Sequence, residues 1–286
     1  MYWQLRTKRI EFDDGPKLMG ILNTTPDSFS DGGSYNNLDR AVEQAMHLSD
    51  AGAAIIDIGG ESTRPYSEPV SVDEELNRVI PVIEQVVSRT DVPVSIDTSK
   101  AVVAAAAMEA GAEIINDVTG LEGDLDMIRI ATESGAGICA MHMQGNPQNM
   151  QDNPSYGDVV SEITGYLKDR RDALLAAGVR HENICLDPGI GFGKTHDHNL
   201  TLMQNCFQFV ELGCPILVGH SRKGFIAHIM QDKQSDRMPG TAGAAIALAD
   251  QGIHVIRVHD VLAVKHALDV YRATRQTRDT SDRLPG

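Results

Sequence analysis

At 286 residues the chain could hold two average domains or one closed α/β barrel of about 250 residues, and 42% hydrophobic with 23% charged residues is the balance of a soluble globular protein. A formal net charge of −15 argues against a nucleic-acid or anionic-membrane surface, since both need a basic footprint. The amino terminus, MYWQLRTKRIEF, lacks the apolar centre of a signal peptide, and the longest apolar run, Ala101 to Met108, is too short to span a bilayer, so a cytoplasmic protein is expected.

Residues 1–16 are expected to form a short hairpin or plug. Apolar runs of the parallel-strand kind then recur: KLMGILN, AAIIDIGG, VPVSID, EIINDVT, GICAMHM, NICLDPGI, PILVGHS and HVIRVHD. Helical periodicity separates them, as in Leu38, Val42, Ala45, Met46 and Leu48, or Leu76, Val79, Ile80, Ile83, Val86 and Val87. Ser71 and Glu74 predict a capping box at the start of the second helix. Strand–helix units of similar size, with no break in composition, predict one (β/α)8 TIM barrel over residues 17–272 and a polar tail over 273–286. With one Trp and few aromatics, the core must be built from Ala, Val, Ile, Leu and Met. Cys139, Cys185, Cys206 and Cys214 show no CxxC pair and are expected to be buried, reduced thiols. The segment GIGFGKT imitates a P-loop, but Pro188 stands where its first Gly belongs, and no GxGxxG turn follows any strand.

Barrel enzymes carry their chemistry at the carboxyl ends of the strands. Here those ends are Asn23, Asp57, Asp97, Asn116, Met141 with His142, Asp187, Ser221 with Lys223, and Arg257 with His259. Strand alternation puts Arg257 and His259 on one face and turns Ile256 and Val258 towards the helices. Any one of these polar residues could be a helix cap, but together they exceed what capping needs. The loop TTPDSFSDGGSYNN after the first barrel strand is long enough for a lid, and ESTRPYSEP after the second carries Thr63 and Arg64 to the rim.

The blocks GILNTTPDSFSDGG, ESTRP, SIDTSK, INDVTG, DPGIGFGKT, VGHSRKG, GTAGA and RVHDV, between Leu18 and Val261, resemble the dihydropteroate synthase family. Tyr66 departs from the family, which often has Gly after STRP. The resemblance implies that 4-aminobenzoate is joined to the methylene of a 7,8-dihydropterin pyrophosphate, with Mg²⁺ assisting, in a homodimer. It implies a pterin grip of Asp97, Asn116, Asp187 and Lys223, with Met141 and Phe192 as apolar faces. Asn23, Thr63, Arg64, Arg257 and His259 would hold pyrophosphate, Asn23 also touching Mg²⁺. Phe29, Pro65, Ser221 and Lys223 would frame 4-aminobenzoate, with Ser221 and the first amides of a helix in RKGFIAHIM receiving its carboxylate. Asp97, Lys223, Arg257 and His259 are the expected catalytic residues, acting on a dissociative path. Asp57 is left to orient its neighbours. A pterin-dependent methyltransferase would share the barrel and the grip but need no pyrophosphate cradle. A silent pterin-binding homologue would have lost Asn23, Asp97, Lys223 or Arg257, and all four are present.

Overall fold

The computed structural model describes residues 1–25, 34–232 and 234–276. An antiparallel hairpin, β1 (Tyr2–Gln4) and β2 (Arg9–Glu11), precedes eight parallel strands. These are β3 (Lys17–Asn23), β4 (Ile55–Gly59), β5 (Val94–Asp97), β6 (Ile114–Asp117), β7 (Gly137–Met141), β8 (Ile184–Asp187), β9 (Leu217–Val218) and β10 (Val255–Val258). Around them, among the described residues, run α1 (Ser34–Asp50), α2 (Val72–Val87), α3 (Ala101–Glu109), α4 (Met127–Ser134) and α5 (Val159–Ala176), then α6 (His196–Gln204), α7 (Phe207–Val210), α8 (Gly224–Met230), α9 (Met238–Asp250) and α10 (Val261–Gln276). The sheet order is β8-β7-β6-β5-β4-β3-β10-β9. A parallel bridge between Leu186 and Ile216, with the Leu186 amide donating to the Pro215 carbonyl at 3.0 Å, closes the ring. The expected TIM barrel is the observed fold.

Side-chain alternation divides the strands between two cores. Outward residues such as Ile56, Ile58, Ile96, Ile115, Ile138, Ile256 and Val258 pack under the helices. The lower inward residues Met19, Ile55, Ile114, Cys139, Cys185, Leu217 and Val255 form a second cluster with Trp3, Leu5 and Ile10. The hairpin is therefore the plug of the barrel floor, and the fully buried Trp3 donates its indole N–H to the Asn183 carbonyl at 2.8 Å. All four cysteines are unpaired and buried. No helix among the described residues is long and apolar enough to cross a membrane.

Local details depart from expectation. Ser71 Oγ accepts the Glu74 amide at 3.2 Å, but the Glu74 carboxylate turns to Arg78, one helical turn on, so only half of the box forms. The reciprocal box lies at α6, where Thr195 Oγ1 accepts the His198 amide at 3.1 Å and His198 Nδ1 accepts the Thr195 amide at 3.3 Å. Helix α10 runs to Gln276, past the expected start of the tail. Residues 26–33, including Phe29 and most of the expected lid, lie outside the described residues.

Candidate active site

At the upper ends of the strands the inward positions become ionisable. Register sets Asp97 between Gly59 of β4 and Asn116 of β6. Asp57 is fully buried; its Oδ2 accepts from Asn116 Nδ2 at 3.2 Å and from Arg257 Nε at 2.6 Å, while Arg257 Nη2 donates to Asp97 Oδ2 at 2.7 Å. One guanidinium from the last strand thus clamps carboxylates from two neighbouring strands, and Asp57 orients both Arg257 and Asn116. Arg257 Nε and Nη2 are both committed to carboxylates. Burial pushes the Asp97 carboxyl up to about 7, with Arg257 pulling it down and Asp57, Asp117 and Glu75 adding to the rise.

Asp187 ends β8 beside Met141 of β7 and accepts the Gly189 amide at 2.7 Å; burial raises its carboxyl above the usual range. The loop that follows curls against Lys223, whose Nζ donates to the Ile190 carbonyl and lies 4.3 Å from the centroid of the Phe192 ring. At Gly191, with φ +87°, a Cβ would stand 2.7 Å from Lys223 Cδ, so only glycine permits this approach. Burial lowers the Lys223 ammonium to about 7, against the pull of Asp187. Lys194 of the GFGKT segment is buried too: its Nζ lies 3.0 Å from His142 Nδ1 and donates to the Phe192 carbonyl at 2.8 Å. Desolvation holds Lys194 well below its ordinary value and His142 at about 3. This lysine braces its own loop from inside and is not offered to a phosphate.

Ser221 joins the remaining two zones. Its Oγ lies 3.0 Å from His259 Nδ1 and accepts the His259 amide at 3.3 Å. The helix expected to start beside it starts later: Arg222 takes a left-handed φ of 58°, Lys223 stands at the N-cap and α8 begins at Gly224. Ser221 therefore caps no helix and is bonded to His259 instead. Arg222 pairs with Asp260 through Nε at 3.0 Å and Nη2 at 2.7 Å. Burial first, then the nearby guanidiniums of Arg257 and Arg222 with a smaller share from Arg64, pushes His259 down to about 4. Three arginines therefore surround one neutral imidazole. Thr63 is half-buried on the loop after β4, while Arg64 and Pro65 are exposed. Tyr66, at φ 64°, donates its amide to the Pro147 carbonyl at 2.9 Å and its hydroxyl to Asp152 Oδ1 at 3.2 Å.

Asn23, half-buried, ends β3 opposite Gly59, next to the strand that carries Asp97. The structure thus gathers Asp97, Asn116 and Arg257 in one network, Asp187, Phe192 and Lys223 in a second, and Ser221 and His259 in a third. Sequence reasoning missed Arg222, Lys194 and the clamp on Arg257. The consecutive Ser221-Arg222-Lys223 was a signal for Arg222; nothing local announces the other two.

Residues 19–259 match the family model described as pterin binding enzyme. The chain is 46% identical over 264 residues to the dihydropteroate synthase of Escherichia coli strain K12, which covers 92% of this chain and 93% of that one. A solved Yersinia pestis dihydropteroate synthase in a sulfonamide drug complex has a TM-score of 0.90 and 42% identity, covering 96% of this chain and 100% of that chain. A Xanthomonas albilineans dihydropteroate synthase in complex with 7,8-dihydropteroate gives a TM-score of 0.86 at 37% identity, covering 96% and 99%.

Proposed function

The chain belongs to the pterin-binding enzyme family, among the dihydropteroate synthases, and we propose that its barrel mouth joins 6-hydroxymethyl-7,8-dihydropterin pyrophosphate to 4-aminobenzoate, yielding 7,8-dihydropteroate and pyrophosphate. The observation that carries this reading is the Asp57–Arg257–Asp97 clamp beside Asn116 and Asp187. It sets buried carboxylates and an amide where a flat, guanidine-like pterin edge needs acceptors, and leaves positive charge at the rim. Phe192 and Met141 flank the ring, and Lys223 lies against Phe192.

On this reading the methylene C–O bond breaks as pyrophosphate leaves towards Arg64, Thr63, His259 and the field of Arg257, donors aimed where negative charge develops. Asp97 faces the ring and offsets the positive charge spread through the dihydropterin. The arylamine nitrogen then forms the new bond and loses its proton to water, needing no strong base. Ser221, with Arg222 near, receives the 4-aminobenzoate carboxylate, while Pro65 and Lys223 border its ring. A secondary deuterium isotope effect near unity at the methylene would overturn the dissociative order.

Among the described residues there is no group of three or more His, Cys, Asp or Glu side chains that could cage a metal. This donor set suits Mg²⁺ held mainly by pyrophosphate oxygens and water, with Asn23 as its protein contact. When bound, the ion would supply further positive charge to the leaving group.

The exposed face of α10 supports a homodimer: Leu262 and Val270, eight residues apart, are 46% and 65% exposed. Leu268 of the same helix is buried against the barrel, and the half-buried Tyr271 bonds Asp250. Four unpaired cysteines agree with a reducing cytoplasm. Sulfonamides, which resemble 4-aminobenzoate, should compete for its site. Incubation with both substrates and Mg²⁺, followed by pyrophosphate measurement, tests the whole reading; no release above background defeats it.

A further inference from the structure

A charge cluster joins the loop after β4, the first turn of α2 and the end of β5. Lys100, just past β5, donates from one ammonium to Glu61 and to Glu75 Oε2, the latter at 2.5 Å. Glu61 lies on the loop after β4, immediately before Ser62, Thr63 and Arg64. Glu75, in the first turn of α2, is completely buried, and its Oε1 has no hydrogen-bond partner among the described residues. Its stem fills the space beside Gly60, where a Cβ would stand 2.9 Å from Glu75 Cγ and 2.7 Å from Val79 Cγ1. Arg78 Nη1 donates to the Gly60 carbonyl at 2.7 Å. The root of this loop is therefore gripped by side chains from α2 and from the end of β5.

We propose that Lys100 is a positioning residue: by binding Glu61 and Glu75 together it fixes the root of the 60–71 loop to the end of β5, and so sets Thr63 and Arg64 for the pyrophosphate. The inference rests on the pyrophosphate reading of that loop. Glu75 alone needs only a counter-ion, which Lys100 supplies without Glu61. Only Glu61 ties that ammonium to the anion-binding segment, so Glu61 separates a positioning role from mere compensation of a buried charge.

The deciding comparison is between dihydropterin pyrophosphate and 6-hydroxymethylpterin, which lacks the anion, as ligands for wild type, Glu61→Ala, Glu61→Gln and Lys100→Met. Glu61→Ala should weaken the pyrophosphorylated ligand by about tenfold, equal to about 1.4 kcal/mol, and leave 6-hydroxymethylpterin within about twofold. Glu61→Gln, which can still accept from Lys100, should recover part of that loss. Lys100→Met strands Glu75 and is expected to melt early, so the conclusion rests on Glu61→Ala with an unchanged melting temperature. Equal loss for both ligands, or no loss for either, overturns the proposal. A wild type that prefers neither ligand defeats the pyrophosphate reading itself, before any variant is considered.

Discussion

Floor and mouth of this barrel are built by the same strands, two residues apart. Ile55 becomes Asp57, Ile114 becomes Asn116, Cys185 becomes Asp187 and Val255 becomes Arg257. Below, an apolar layer sealed by Trp3 and Leu5 needs only volume and shape; above, the buried charges of Asp57, Asp97 and Arg257 persist because they pair with one another. One pleat of a strand separates residues that hold the fold from residues proposed to hold the substrates, and the two kinds should fail differently.

Arg257→Ala tests that separation most severely. Its removal leaves Asp57 and Asp97 without their counter-ion, so activity should be lost together with about 3–5 kcal/mol of stability, read by urea denaturation beside kcat. A fully stable variant would mean that the clamp is not formed. Trp3→Ala should cost about 3–5 kcal/mol while the remaining native fraction keeps its KM values, because the floor packs at the end of the barrel opposite the proposed site. Lys223→Ala should do the reverse, lowering turnover by about 10²- to 10³-fold with little change in melting temperature, since its amine holds no buried carboxylate by a hydrogen bond among the described residues, donating to a loop carbonyl and lying over Phe192.

His259 gives a subtler contrast. Free, its imidazole is held down at about 4 and is neutral near pH 7. A pyrophosphate bound beside it, as proposed, would raise that value, so binding should take up a proton, with the added affinity present at low pH and lost as pH rises through the bound-state value. Pyrophosphate should therefore bind more tightly at pH 6 than at pH 8, beyond the titration of the ligand itself. Calorimetry in buffers of different ionisation enthalpy reads the uptake, which His259→Asn should abolish. The smallest effect belongs to Tyr66. Tyr66→Gly relieves a left-handed φ that costs about 1 kcal/mol but gives up the bond to Asp152, so stability should change by less than about 1 kcal/mol while KM for 4-aminobenzoate rises modestly.

The eight strands and their polar ends were legible because parallel strands covered on both faces are short aliphatic runs, and a polar residue closing such a run stands out. The hairpin was legible as a segment, and the structure adds that Trp3 fills the floor. The pairing of Arg257 with Asp57 and Asp97 was not, since those partners lie in distant parts of the chain and meet only when β10 closes beside β3. The turn at Arg222 was hidden as well: a non-glycine residue at positive φ leaves no mark in sequence, and reading a helix straight after Ser221 moved the cap by two residues. Glu74 shows a motif outcompeted, because Arg78 one turn away offers its carboxylate a charged partner.

The closing seam has a consequence of its own. Strand β9 has only two residues, and on its β8 side the ring is joined at one bridge, while the Ile216 amide donates to His254 Nδ1 at 3.1 Å in place of a longer ladder. Amide protons along this join should exchange with deuterated solvent sooner than those of β3 or β4. The barrel has, in effect, a zip whose last teeth are an imidazole and a single bridge, directly beneath the segment that bears Ser221 and Lys223.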